Sequence, residues 1–384
     1  MSSSDQQAPS TVEIFDSFLP LPFRILSLLN LAAWLWYLTL EITNSYQIKL
    51  LSLLKLHDEY PHTVSNANLF VARTFRGEIV RASVISTVGY LAYLLAHEIM
   101  GGMGIFWDCY GLILIAVFLL SFVLNSGPGS LRLRQTLKRV LIGDIDSINL
   151  RTNDILVSDT MISYGKVFID LGVVMCQIIS GESCFPALTT DEKNIDRSCG
   201  KNIALEFLVG SIPILIRMKQ CSYEFKISGF MNKGHMFNFI KYSISLVFLF
   251  VTVFLTQHSS YASMWKLISF VNSCYGFYWD LNRDWNLFGS GYTLRSKRLY
   301  PVIFYYAAIG FDFFGRFVWL FKLTSTDRYL NVILYQSEVG VYLLQILEIT
   351  RRFVWILVKC EIDYIVMDPL DRKADDVEMS SLPK

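Results

Sequence analysis

Charge is scarce in this chain of 384 residues: 17% are Asp, Glu, Lys or Arg, where a soluble chain carries about 25%. Bias of sign is missing too, with 34 basic residues against 33 acidic, so no global field draws the chain to nucleic acid. The five histidines are scattered and show no Cys/His spacing for a metal site. His97-Glu98 lacks the second His of a zinc-protease helix. The N-terminal residues 1–18 hold no Lys or Arg, so the basic start of a cleavable signal peptide is absent. No Asn-x-Ser/Thr sequon occurs, so glycosylation cannot orient the chain. Seven cysteines, mostly in apolar segments, argue against a disulfide scaffold. Cys184 and Cys199 flank a polar loop and either bridge, if that loop is lumenal, or stay as two thiols. The low and balanced charge argues against a soluble enzyme and a DNA-binding module, and no enzyme or metal motif stands out.

What is abundant is apolar sequence: 53% hydrophobic residues and a mean hydropathy of +0.40. Nine runs are candidate spans, roughly 21–40, 79–99, 105–124, 155–181, 202–218, 236–256, 261–278, 300–322 and 331–358. A backbone in hydrocarbon must satisfy its own hydrogen bonds, so the expected fold is all-α, a polytopic helical bundle of about nine spans. Basic residues orient it. Arg73, Arg76 and Arg81, then Arg132, Arg134, Lys138 and Arg139, then Arg217, Lys219, Lys226 and Lys233, then Arg295, Lys297 and Arg298 all fall on one side if there are nine crossings. The turns at 100–104 and 257–260 carry no Lys or Arg. This places the N-terminus in the lumen, the loop 182–201 in the lumen and the C-terminus in the cytosol. The IKLLSLLKLH stretch within 41–60 either lies on the cytosolic surface or extends the first span. The tail from Asp368 to Lys384 reads as disordered.

Ionisable groups inside a span cost about 2.5–3.5 kcal/mol each, yet this chain keeps many. The fourth span holds Asp159, Lys166 and Asp170; the two acids are close to three helical turns apart and share a face, and Lys166 can pair with Asp170. Lys241 and Tyr242 open the sixth span, and Asp280 and Asp284 sit one turn apart after the seventh. The eighth carries Asp312 and Arg316, the ninth Glu348 with Arg351 and Arg352. An acid and a base one turn apart can simply neutralise each other. Five spans with such groups point further. Arg351 and Arg352 beside a single Glu348 leave a surplus of guanidinium unless other helices supply acids. A planar guanidinium fork in a low-dielectric cavity suits an oxyanion.

The residues Cys274-Tyr275, Trp279-Asp280 and Asp284-Trp285-Asn286-Leu287-Phe288 closely resemble the signature of the EXS-domain family, which includes the eukaryotic phosphate exporters. That family has Gly where this chain has Asn286. Glu348, Arg351-Arg352-Phe353 and Trp355 resemble its second signature, Glu-x-x-Arg-Arg-Phe-x-Trp, with Lys359-Cys360-Glu361 a looser continuation. Arg316-Phe317-Val318-Trp319, Lys241-Tyr242-Ser243, and Pro213, Arg217, Gln220 and Cys221 resemble further motifs in order, and Asp159, Ser163 and Asp170 keep a helix spacing of the family. The resemblance runs from about residue 21 to 366.

What the resemblance implies is a phosphate pathway through Asp159, Lys241, Tyr242, Asp280, Asp284, Arg316, Trp319, Glu348, Arg351 and Arg352, with basic groups lining it and acids organising them. It implies no cofactor and no enzymatic activity. Only about 20 residues precede the first span, so the regulatory SPX domain of the exporters is expected to be absent. The short layout is similar to the fungal ERD-type branch, Golgi residents implied to return phosphate from lumen to cytosol and so to support glycosylation and protein retention. The organisation expected is a lumenal segment 1–20, N-terminal helices and cytosolic loops 21–154, an EXS-type core 155–366 and a cytosolic tail 367–384. Partners expected are inorganic phosphate and the lipid bilayer, with a cytosolic adaptor for glycosyltransferase retention and a homodimer left open. The rival function is a scaffold that transports nothing and offers its basic loops at 131–139 and 217–233 to that adaptor.

Overall fold

The computed structural model describes residues 15, 18–54, 67–100, 104–124, 128–146, 150–181, 183, 199, 202–255, 261–288, 293–324 and 337–367. They are helical, with an isolated bridge between Phe288 and Leu294 and no strand among the described residues. α1 (Leu21–Ser45) starts behind Pro20 with Pro22 in its first turn, where a missing N–H has no intrahelical acceptor to lose. α2 (Ala67–Met100), α3 (Gly104–Val123) and α4 (Pro128–Ile142) follow. α5 (Arg151–Ser163) and α6 (Gly165–Ser180) meet at a 62° bend about Tyr164, and α6 ends on Gly181 in the left-handed region (φ +73°). α7 (Ile203–Ile227) is capped by Asn202, whose side chain accepts from Leu205 N at 3.1 Å. α8 (Lys233–Phe250), capped by Asn232, widens into a π turn at Val251–Leu255. α9 (Ala262–Trp279) runs into a second π turn at Asp280–Asp284. α10 (Val302–Phe317) tightens at Val318–Leu320, and α11 (Glu338–Val366) is capped by Ser337.

Each of the nine runs read from the sequence carries a helix, so the chain is an all-α polytopic membrane protein. The count of crossings is a separate matter. Among the described residues, five helices are long and apolar enough to cross: Leu21–Ser45, Val71–His97, Gly104–Val123, Lys233–Leu255 and Val302–Leu323. The bent pair α5–α6 makes six if it is one span. α7, α9 and α11 are long enough but too polar, and these helices carry or border the buried charges. The outward faces of α2 and α3 expose Val84, Val88, Leu95, Ile113 and Leu120, the surface a hydrocarbon environment calls for.

Three local expectations change. The fourth run is two helices, so Asp159 and Asp170 share no continuous face; Asp170 instead binds Lys166 Nζ at 2.6 Å and Gln345 Nε2 at 2.7 Å. Cys199 is bridged to Cys176, on α6, and Cys184 lies outside the described residues. Cys176 was hidden in an apolar run, where spacing gives no sign of its reach. α1 ends at Ser45, the chain turns at Gln47 (φ +59°), and Ile48, Leu50 and Leu53 are buried against Trp285 and Trp355. The apolar side of that stretch therefore serves the protein core; its continuation at 55–57 lies outside the described residues. So do the turns at 101–103 and 257–260 and the tail from 368.

α11 is the centre of the packing, touching α1, α5 and α10, while α7 lies between α5, α6 and α8. One apolar core joins Leu281, Trp285, Tyr305, Trp355 and Ile356; another joins Phe23, Tyr93, Trp107, Ile115 and Ile349. The charged groups lie where α5, α7, α8, α9, α10 and α11 converge.

Candidate functional site

α11 places Arg351 and Arg352 side by side, and successive helical positions point about 100° apart. Arg351 faces α10. Its Nε and Nη2 hold the two oxygens of Glu348 at 2.8 and 2.7 Å, and its Nη1 donates to Asp312 Oδ1 at 2.7 Å and approaches Asp280 Oδ2 at 3.7 Å. Arg316 completes this knot, with its Nε on Asp312 Oδ2 at 3.2 Å and its Nη2 on Asp280 Oδ2. Two guanidiniums thus share three carboxylates. Two glycines make the approach possible: a Cβ on Gly276 would lie 2.3 Å from Arg316 Nη1, and one on Gly315 would lie 2.7 Å from Arg351 Cδ.

Arg352 faces α5. Its Nε donates to Ser163 Oγ at 2.8 Å, Ser163 Oγ donates to Glu348 Oε1 at 2.7 Å, and the guanidinium lies 4.6 Å from the Trp355 ring centroid. Although only 8% exposed, Arg352 has no carboxylate within 4 Å among the described residues, and its two terminal nitrogens make no hydrogen bond to them. Lys241, on α8, is the other loosely held cation. Its Nζ stands 3.9 Å from Asp284 Oδ2 and lies over the rings of Tyr242 (4.7 Å) and Trp279 (5.3 Å). Both cations act electrostatically on Asp159 and on Asp280, so they belong to one neighbourhood.

Asp159 is held by Tyr242 OH at 2.7 Å and by Arg217 Nε at 2.7 Å. Arg217 also donates to Tyr242 OH (3.0 Å), Ser158 Oγ (3.3 Å) and Gln220 Oε1 (2.8 Å) and is fully enclosed. The structure therefore gathers Asp159, Lys241, Tyr242, Asp280, Asp284, Arg316, Glu348, Arg351 and Arg352 into one network. Trp319 stands off it: its Nε1 donates to Ser273 Oγ at 2.9 Å and its ring packs edge-on against Trp265. Ser273 Oγ in turn donates to the Arg316 carbonyl at 2.9 Å, which is the single link between Trp319 and the network given by these bonds.

The π turn alters how Asp280 and Asp284 serve the site. Asp280 turns to Arg316 and Arg351, while Asp284 turns to Lys241 and accepts from Trp279 Nε1 at 3.1 Å. The widened turn, a common feature of functional sites, sends the pair to different partners. Below it, Asn286 adopts φ +43°, a left-handed value that explains why Gly is usual in the resembling signature. The turn is fixed to α11 by Arg295, which donates to the Trp285 carbonyl and pairs with Glu361, and by Glu361 Oε1 accepting from Leu299 N at 2.7 Å.

Sequence reasoning leaves four participants out of the pathway, three of which it names for other reasons. Arg217 reads as an ordinary cytosolic topogenic charge; its place one turn before the buried Gln220 is the available signal. Ser163 and Gly276 sit inside the resembling motifs but carry no charge to flag them. Asp312 is visible as a pair for Arg316, yet its bond to Arg351 needs the packing of α10 on α11.

A helical membrane protein with an interior knot of paired and half-paired cations is the class that fold and site define. Residues 19–365 match the model of the EXS family, and the chain belongs to it. It is 31% identical over 262 residues to Protein ERD1 of Kluyveromyces lactis, covering 59% of this chain and 63% of that protein. It is 26% identical over 372 residues to Protein ERD1 of Saccharomyces cerevisiae, covering 90% of this chain and 93% of the relative. It is 24% identical over 230 residues to human solute carrier family 53 member 1, covering 55% of this chain and 32% of that protein. The chain thus spans less than two thirds of the Kluyveromyces relative and about a third of the human one.

Proposed function

We propose that this protein moves inorganic phosphate from the Golgi lumen to the cytosol through the cluster formed by α5 and α7–α11, with α1–α3 as scaffold and nine crossings in all. The observation that carries the reading is Arg352: a guanidinium over nine-tenths buried whose one hydrogen bond among the described residues goes to Ser163, with no carboxylate within 4 Å among them. Phosphate is a mono- or dianion near neutral pH, and Arg352 and Lys241 offer charge-assisted donors in place of its hydration shell. Arg351 and Arg316 are occupied by acids, so their role in this reading is to hold Glu348, Asp280 and Asp312 away from the anion. The solute-carrier name of the human relative supports transport. The Cys176–Cys199 bridge supports a lumenal placement of that end of α6, because disulfides persist in oxidising compartments.

The test is phosphate efflux from loaded vesicles carrying the purified protein. Wild type is expected to release phosphate in preference to sulfate and chloride, and Arg352→Gln to abolish release. Wild-type flux in Arg352→Gln would end the proposal. The scaffold reading rests on α4, whose outer face exposes Leu131, Lys138, Leu141 and Ile142 on the side the basic residues place in the cytosol. Normal glycosyltransferase retention in cells carrying a flux-dead Arg352→Gln protein would favour it.

A further inference from the structure

The bend between α5 and α6 interrupts the backbone beside Arg352. Tyr164 N donates back to Thr160 O and Met161 O at 3.2 Å, closing α5. Phe168 N donates to Tyr164 O at 2.9 Å, opening α6. The N–H groups of Gly165, Lys166 and Val167 lie between these bonds, in the first turn that a helix cannot satisfy from within, and the Tyr164 side chain at the N-cap does not bond them. Nothing stands within 4 Å of the place a Gly165 Cβ would occupy, so there is room beside them.

A helix start alone is not a binding site. Here a second, independent feature meets it. Arg352 is anchored through its Nε to Ser163, the last residue of α5, and its terminal nitrogens have no hydrogen-bond partner among the described residues. Glu348, which accepts from Ser163 Oγ, is engaged at both oxygens by Arg351. Both oxygens of the acid nearest in bonding to the bend are thus already engaged.

We propose that the amino end of α6 is the second half of the anion seat, its first-turn N–H groups binding the oxygens of a tetrahedral oxyanion that Arg352 holds from the other side. This deepens the transport reading and rests on it. A helix start concentrates partial positive charge on its free N–H groups, and broken helices that aim such starts at an anion recur in membrane carriers. Partial charges of this kind need no counter-carboxylate, so they add attraction without deepening the binding to the point that release fails.

Gly165→Pro deletes one N–H, and because Tyr164 (ψ 8°) lies outside the extended region that Pro favours in the residue before it, its melting temperature is measured alongside flux. The variant is expected to raise the phosphate concentration for half-maximal flux about tenfold, the loss of one hydrogen bond to a charged group. Gly165→Ala keeps the N–H and is expected to fall well short of that change. Gly165→Asp places a carboxylate where it favours the helix but occupies the seat; melting temperature is expected to hold while phosphate flux is lost. Unaltered half-saturation in Gly165→Pro together with normal flux in Gly165→Asp overturns the proposal, as does an Ala effect equal to that of Pro. If Gly165→Pro does not fold, flux through Gly165→Asp decides. Arg352→Gln separates the two ideas. Normal flux there defeats the transport reading itself, whereas lost flux there with undisturbed Gly165 variants defeats the α6 seat alone.

Discussion

Two arginines adjacent in sequence have opposite surroundings. Arg351 is wrapped by Glu348 and Asp312, with Asp280 in reach, whereas Arg352 touches one hydroxyl and one indole. Both are buried to the same degree, 5% and 8% exposed. The difference teaches that a buried charge is not itself evidence of a binding site. Around Arg351 and Arg316 acids exceed bases, and that half of the network is complete without a ligand. Around Arg352, Lys241 and Arg217 the acids are Asp159 and Asp284, and bases exceed them. An anion entering the network gains most on the second side.

The sharpest way to break that comparison is to neutralise each arginine in turn. Arg351→Gln takes one of two arginine partners from buried Asp312 and the arginine partner from part-exposed Glu348 and is expected to lower stability by up to about 3 kcal/mol, read as a drop in melting temperature. Arg352→Gln strands no carboxylate and is expected to leave the melting temperature close to wild type while flux disappears. Equal destabilisation by both would erase the distinction.

A smaller effect tests the packing that keeps Arg316 among its acids. Gly276→Ala sets a Cβ 2.3 Å from Arg316 Nη1. The guanidinium must shift within its bonds to Asp280 and Asp312, and overpacking of this kind costs about 1–3 kcal/mol. An intermediate fall in melting temperature is expected. A wild-type melting temperature would mean that Arg316 has room to spare and that the knot is looser than its contacts imply.

On the open side, Asp284→Asn removes a pair whose charges stand 3.9 Å apart, while an amide oxygen still accepts from Trp279. Stability is expected to change by less than about 1 kcal/mol, in line with a weak ion pair. A fall as large as that of Arg351→Gln would place Lys241 with the locked cations and leave Arg352 alone.

Much of this was legible before any coordinates. Apolar run length located the helices of the nine runs, because a membrane demands continuous apolar sequence and a helical backbone. It missed α4 (Pro128–Ile142), whose basic residues read as a loop at 131–139, and the start of the basic stretch 217–233, which continues α7 to Ile227. Residue type and one-turn spacing found Lys166 with Asp170, Asp312 with Arg316 and Glu348 with Arg351, since such pairs form within one helix. What stayed hidden depends on contacts between helices. The surplus at Arg351 vanished because Asp312 and Asp280 come from other helices. The 62° bend at Tyr164 was invisible because neither Pro nor a run of glycines marks it. The parting of Asp280 from Asp284 required a π turn, and no spacing rule for an α-helix foresees one.

The smallest effect concerns the turn that presents Asp284. Asn286 holds φ +43°, a conformation that strains most L-residues, Asn less than others. Its neighbours Trp285 and Leu287 are fully buried, and Arg295 N donates to Leu287 O at 2.8 Å, so the turn has no freedom to relax. Asn286→Gly is therefore expected to remove strain, and the larger backbone entropy of Gly in the unfolded chain offsets part of the gain. The net change should be a stabilisation of no more than about 1 kcal/mol, visible as a slight rise in melting temperature, with flux unchanged. A clear loss of stability would show that the Asn286 side chain makes a contribution the turn geometry does not, and the presence of Asn at a position suited to Gly would then need a cause other than tolerance.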